Sequence, residues 1–148
     1  MNIAYDSFVS AFLNKVNEYK FLNISDVERD EIVYGYFCRA MSRFKKICGY
    51  DFSLYDAETR SFTDDFKEDD VDEIIDIVSE GMVVQWLKPY AYSQEILENV
   101  LNTRDFTMYS PAELLMRIGN AYEKAQRDFT QMMREYSYNH GDLTDLHL

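Results

Sequence analysis

The stretch from Ser110 to Tyr136, "SPAELLMRIGNAYEKAQRDFTQMMREY", decides the fold. It opens with a serine able to cap a helix, a proline whose fixed φ and missing N–H suit the first helical position, and a glutamate three residues after the cap. Behind that start signal, Leu115, Ile118, Tyr122, Ala125, Phe129, Met132 and Tyr136 recur in alternating steps of three and four. The spacing places one apolar stripe along a long helix, the geometry that packs lengthwise against neighbours.

Partners for that stripe lie upstream. Asp6 or Ser7 can cap a first helix carrying Phe8, Phe12, Leu13, Val16 and Tyr19 at helical spacing. After a break at "KFLNIS", Ser25 and Glu28 form a capping box for a second helix reaching Cys48, with Val33, Tyr36, Phe37, Ala40, Met41, Phe44 and Ile47 on one face and Gly49 as its terminator. "YDFSLYDAETRSFTDD" has no sustained period and reads as a connecting loop with at most a short turn. Val71, Ile74, Ile75, Val78, Met82 and Trp86 mark a third helix, which Pro89 is expected to end or kink. A short fourth would use Ile96, Leu97, Val100 and Leu101. Gly81 and Gly119 fall inside predicted helices, where glycine costs up to about 1 kcal/mol relative to alanine; close approach of a neighbouring helix is the expected compensation, a kink the alternative. The expectation is an all-α, single-domain bundle of four to five helices over residues 1–138, with an extended C-terminal tail at 139–148.

A chain of 148 residues can bury roughly two-thirds of the surface its unfolded form exposes, enough for one independent core. Cys38 and Cys48 fall in one predicted helix, where ten residues of rise separate them by about 15 Å, too far for a disulfide. They read as reduced thiols behaving as small buried hydrophobes. Neither a signal peptide nor a membrane-length apolar run is visible, so the protein is expected to be made in the cytoplasm.

The net charge of −12 is concentrated: residues 51–80 hold twelve acids against Arg60 and Lys67, a net of −10, whereas residues 1–50 sum to +1 and 81–148 to −3. Ordinary nucleic-acid binding needs a basic footprint, and none is present. The cluster "DDFKEDDVDEIID" lacks the alternating oxygen ligands and sixth-position glycine of a calcium loop. Its Asp69, Asp70, Asp72 and Glu73 are better read as acids favoured by the dipole in a helix's first turns.

Catalytic patterns are sparse. Glu73/Asp76 and Glu95/Glu98 are two E-x-x-[DE] pairs that could hold magnesium against phosphates, similar to the all-α nucleotide pyrophosphohydrolases. The order of the pairs is reversed relative to that family, and no basic cluster stands nearby. No glycine-rich nucleotide loop or nucleophile elbow occurs. An acidic DNA mimic is a further alternative, but it wants acids spread over the surface rather than in one block. No enzyme activity, cofactor or metal is expected.

Twelve tyrosines exceed what a core of this size holds, and tyrosine suits interfaces because it pairs an apolar body with a polar tip. Trp86, Tyr90 and Tyr92, flanking the expected break at Pro89, are the candidate subunit interface. The final stretch "YSYNHGDLTDLHL", residues 136–148, places Leu143, Leu146 and Leu148 where no separate core can form. With Asn139 and Gly141 turning the chain, these leucines either fold back or enter a partner; Asp142 and Asp145 would meet basic groups, and Tyr138, His140 and His147 would add hydrogen bonds rather than metal ligation.

Taken together, "SDVERDEIVYGYFCRAMSRFKKIC", "GMVVQWLKP", "SPAELLMRI" and the "YSYNHGDLTDLHL" tail resemble the head-to-tail connector or adaptor proteins in the neck of tailed bacteriophages, most of all those of phages of Gram-positive hosts. The resemblance implies a homo-oligomeric ring, dodecameric in the virion, below the portal protein, with the tail docking on the portal and the other side meeting the next neck or tail protein. It implies passing DNA contacted without sequence-specific binding, and no membrane. Asp64, Asp65, Glu68, Asp69 and Asp70 are the candidate channel-lining acids, which would repel phosphates within a Debye length of about 8 Å so that the genome slides.

Overall fold

The computed structural model describes residues 1–17, 30–92 and 110–140. Among them the order is β1 (Ile3–Ala4), α1 (Tyr5–Val16), α2 (Asp30–Phe44), β2 (Tyr55–Asp56), β3 (Ser61–Phe62), α3 (Glu68–Tyr92) and α4 (Pro111–His140). The architecture is an all-α bundle with a small accessory sheet. The expected helix around Ile96 to Leu101, and the capping residues Ser25 and Glu28, lie outside the described residues.

α3 is the axis. α1, α2 and α4 all pack on it, and Ile74, Ile77, Val78, Met82, Val83, Trp86 and Leu87 are each buried to within 1% of full occlusion. Apolar residues on every side are what a helix surrounded by helices requires. The closest approach falls at Gly81: a Cβ there would stand 2.8 Å from Ala40 Cβ of α2 and 2.8 Å from the Phe129 ring of α4. The packing expectation therefore holds at Gly81. At Gly119 no atom of the described residues lies within 4 Å of the position its Cβ would take.

Helix ends follow local chemistry. Ser110 caps α4 as expected: its Oγ accepts the Glu113 N–H at 3.2 Å, and its carbonyl accepts the Leu114 N–H at 3.0 Å. α1 starts earlier than Asp6 or Ser7 would set it. Ala4 occupies the cap without a side-chain bond because it belongs to β1, and the Tyr5 N–H is satisfied by the Arg60 carbonyl at 2.9 Å. α2 stops at Phe44 and tightens into a turn, Ile47 N–H bonding the Phe44 carbonyl at 3.0 Å, before Gly49 takes φ +74°. Pro89 does not end α3, which runs on to Tyr92.

The loop reading of residues 50–65 is corrected. β2 and β3 form an antiparallel pair, Tyr55 opposite Phe62 and Asp56 opposite Ser61, and β1 adds on the other side with Ile3 opposite Phe62, giving the order β1-β3-β2. Two-residue strands are too short to print an alternating pattern, and β1 comes from the distant N-terminus. Acids build the connecting turns: Asp51 accepts from Ser53, Asp56 from the Glu58 N–H, and Asp64 from the Asp51 and Asp65 N–H groups.

Candidate interaction surface

The side of α2 turned away from α3, together with the face of the sheet, walls a cleft of about 1190 Å³. A row of rings crosses it. Tyr34 stacks on Phe37 at 6.3 Å, Phe37 on Phe62 at 5.6 Å, and Phe62 meets Tyr55 at 5.2 Å. Phe37 and Phe62 are buried, which fixes the row, while Tyr34 and Tyr55 stay 56% and 45% exposed. Large apolar groups held open to water on a rigid support mark a contact surface. Asp30 and Glu31 line the cleft at the start of α2, and Lys45 and Lys46 just past the end of that helix; Asp51 and Arg60 also line it. Arg60 is anchored over the Tyr5 ring at 5.6 Å and pairs with Asp6 at 3.5 Å. The Tyr5 hydroxyl is pushed up to about 12 by burial first, and that of Tyr34 upward by its hydrogen bond to Cys38, so both stay protonated near neutrality.

Next to Tyr50, which lines the cleft, the end of α4 is tied to the start of α3. His140 Nε2 lies 2.7 Å from Asp70 Oδ1 and 3.9 Å from Glu73 Oε2, and its Nδ1 lies 2.8 Å from the Tyr136 carbonyl. Both close partners can accept hydrogen bonds, an arrangement that favours the doubly protonated ring. Burial favours its neutral form, but the hydrogen bond to Asp70 and the one to Tyr136 outweigh this and raise its pKa. Asp70 is held below the usual carboxylate range, chiefly by the Tyr50 hydroxyl that donates to its other oxygen at 2.7 Å, and further by His140. The Tyr136 ring stacks under His140 at 4.0 Å, and its hydroxyl donates to the Cys48 carbonyl at 3.0 Å. Asp70, Glu73 and His140 bring ligand-capable atoms within 4.8 Å.

These placements correct several sequence expectations. Asp70 is not a channel-facing acid: it is buried and committed to Tyr50 and His140. Asp64 is half-buried and spends its carboxylate on the turn. Asp65, Glu68 and Asp69 remain exposed as a short ridge. Trp86 is 1% exposed, with its ring 6.4 Å from those of Phe12 and Tyr90, so it is core and no subunit interface. Tyr90 packs partly against the core, and the Tyr92 side chain lies outside the described residues.

Residues 139 and 140, the first two of the expected tail, are helical. α4 continues through Tyr138 and Asn139 to His140 because the His140 contacts fix its last turn; Tyr138 is 68% exposed on that helix. Asp142, Leu143, Asp145, Leu146, His147 and Leu148 lie outside the described residues. Cys38 is exposed rather than buried. Cys48 is buried, and burial pushes its thiol up, away from nucleophilic use.

The carboxylate pair Glu73/Asp76 is split between two cations. Glu73 faces His140, while Lys15 of α1 donates to Asp76 Oδ1 at 2.7 Å and to Glu80 Oε2 at 3.0 Å. Glu95 and Glu98 lie outside the described residues. Sequence reading missed the cleft. Its available signals were Tyr34, which sits off the α2 stripe, and Tyr55 inside a polar stretch. No protein-family model, curated protein or solved structure matches this chain. No helix among the described residues is long and apolar enough to cross a membrane.

Proposed function

We propose that this chain is a structural subunit of a tailed-bacteriophage neck, a head-to-tail connector. In this reading it forms a homo-oligomeric ring, dodecameric in the virion, between the portal protein and the next neck or tail protein. The observation that carries the reading is the open aromatic row from Tyr34 to Tyr55, supported from behind by buried Phe37 and Phe62. Such a surface is made to be covered by protein. Two further features support it. The exposed acids Asp65, Glu68 and Asp69 outnumber the one exposed cation among them, Lys67, and offer DNA a net repulsive face. The carboxylates of Asp70, Asp76 and Glu80 are engaged by Tyr50, His140 and Lys15 in holding elements of the bundle together.

The tail completes the assignment: Asp142, Leu143, Asp145, Leu146, His147 and Leu148 would engage the portal, three leucines supplying apolar contact and two aspartates meeting basic groups. The test is binding to portal-containing heads by the full chain and by a chain ending at His140. Capture of the full chain alone, with both forms equally folded by circular dichroism, is the expected result. Equal capture of both forms removes the tail from the docking contact, and capture of neither removes the connector assignment.

A further inference from the structure

We infer that, in the unassembled subunit, the aromatic cleft is the seat of the chain's own residues 141–148, "GDLTDLHL". The seat is argued from geometry and chemistry and does not depend on the connector assignment.

The first argument is where α4 ends. His140 bonds Asp70, whose other carboxylate oxygen holds the Tyr50 hydroxyl, and one turn earlier the Tyr136 hydroxyl reaches the Cys48 carbonyl. Tyr50 lines the cleft, as do Lys45 and Lys46 just before Cys48. Residue 141 therefore sets out from the basic end of the cleft.

Length and volume agree. Eight extended residues reach about 26 Å, while the α2 wall from Tyr34 to Lys45 rises only about 16 Å. A space of about 1190 Å³ exceeds the roughly 300–1000 Å³ of small-molecule pockets and suits a peptide.

Chemistry agrees as well. Asp142, second after the helix, comes level with Lys45 and Lys46, and Asp145 follows in reach of the same cations. Leu143, Leu146 and Leu148 match an apolar floor of Phe37, Phe62 and the flanking tyrosines. A segment with three leucines in eight residues gains more by covering such a surface than by remaining in water. In a connector, capture of the tail by the portal would free the same surface for a neighbouring copy.

Cys38 is the reporter. It is exposed on the cleft wall, whereas Cys48 is buried and serves as the unreactive internal reference. The rate at which an aromatic disulfide reagent labels Cys38 is compared in the full chain, in a chain ending at His140, and in full-length Leu143→Asp/Leu146→Asp. The expected result is labelling about tenfold slower in the full chain than in either variant, since reaction then waits for the seat to open. Protection should be independent of protein concentration, and the synthetic peptide GDLTDLHL at millimolar concentration should restore it to the shortened chain. Equal rates in the full chain and the double variant overturn the proposal, and protection that grows with protein concentration assigns the seat to a second copy and overturns it too. If the shortened chain unfolds, shown by labelling of Cys48, the double variant decides.

Discussion

The molecule has two aromatic regions, and they do opposite work. Around α3, rings fill volume: Trp86, Phe12 and Phe129 are each within 1% of full burial, and the Phe129 ring rests where a Gly81 side chain would be. Across the cleft, rings make surface: Phe37 and Phe62 are fixed from behind, while Tyr34 and Tyr55 turn about half of their area to water. The first region determines whether the chain folds. The second bears on what the folded chain touches. Residue type does not separate them; what does is whether a second helix closes over the ring.

The contrast breaks if core substitutions prove mild. Trp86→Ala should cost about 3–5 kcal/mol, a large share of the roughly 5–15 kcal/mol that stabilises a domain. Gly81→Val should follow at about 1–3 kcal/mol, because neither Ala40 Cβ nor the Phe129 ring can retreat without opening a packed interface. Urea unfolding monitored by circular dichroism measures both. Values under about 0.5 kcal/mol, typical of surface positions, would mean that α3 is not the axis of the fold.

The cleft side predicts the reverse. Tyr34→Ser with Tyr55→Ser should cost about 1 kcal/mol or less, yet reduce binding of an apolar dye that fluoresces on exposed hydrophobic surface, measured in the chain ending at His140. A loss of several kcal/mol would show these rings to be core.

A smaller effect concerns the His140–Asp70 tie. His140's pKa is raised, so its contribution is full below about pH 6.5, the ordinary histidine value, and is lost as pH rises through the folded value. Asp70's is lowered, so its share is present above about pH 3.9 and is lost as pH falls through its folded value. The tie is therefore strongest between those limits. His140→Gln should lower the melting temperature most near pH 5.5, by the equivalent of about 1 kcal/mol, and progressively less above neutrality. A difference that stays flat from pH 5 to pH 8 would contradict a doubly protonated ring at His140.

The same contrast explains what the sequence disclosed. Long helices were legible because a buried stripe repeats often enough to be seen: Ile118, Tyr122, Ala125, Phe129 and Tyr136 are buried as their spacing predicts, although Leu114 takes the core place expected for Leu115. The sheet was not legible, since Ile3–Ala4 pairs with Ser61–Phe62 across nearly sixty residues and neither strand is long enough to alternate. Trp86 was misplaced because "WLKPY" suggests a broken, exposed end, whereas burial of Trp86 and Leu87 carries α3 past Pro89. Asp70 looked like its acidic neighbours; only Tyr50 and His140, twenty and seventy residues away, turn it inward.

Under the proposed function, this protein would act through its surfaces, as one member of a ring. The most direct measurement is its mass by sedimentation, alone and mixed with purified portal. The account predicts a subunit that joins the portal in a complex of defined, ring-like stoichiometry; a chain that remains monomeric at every concentration and forms no complex with the portal would contradict it.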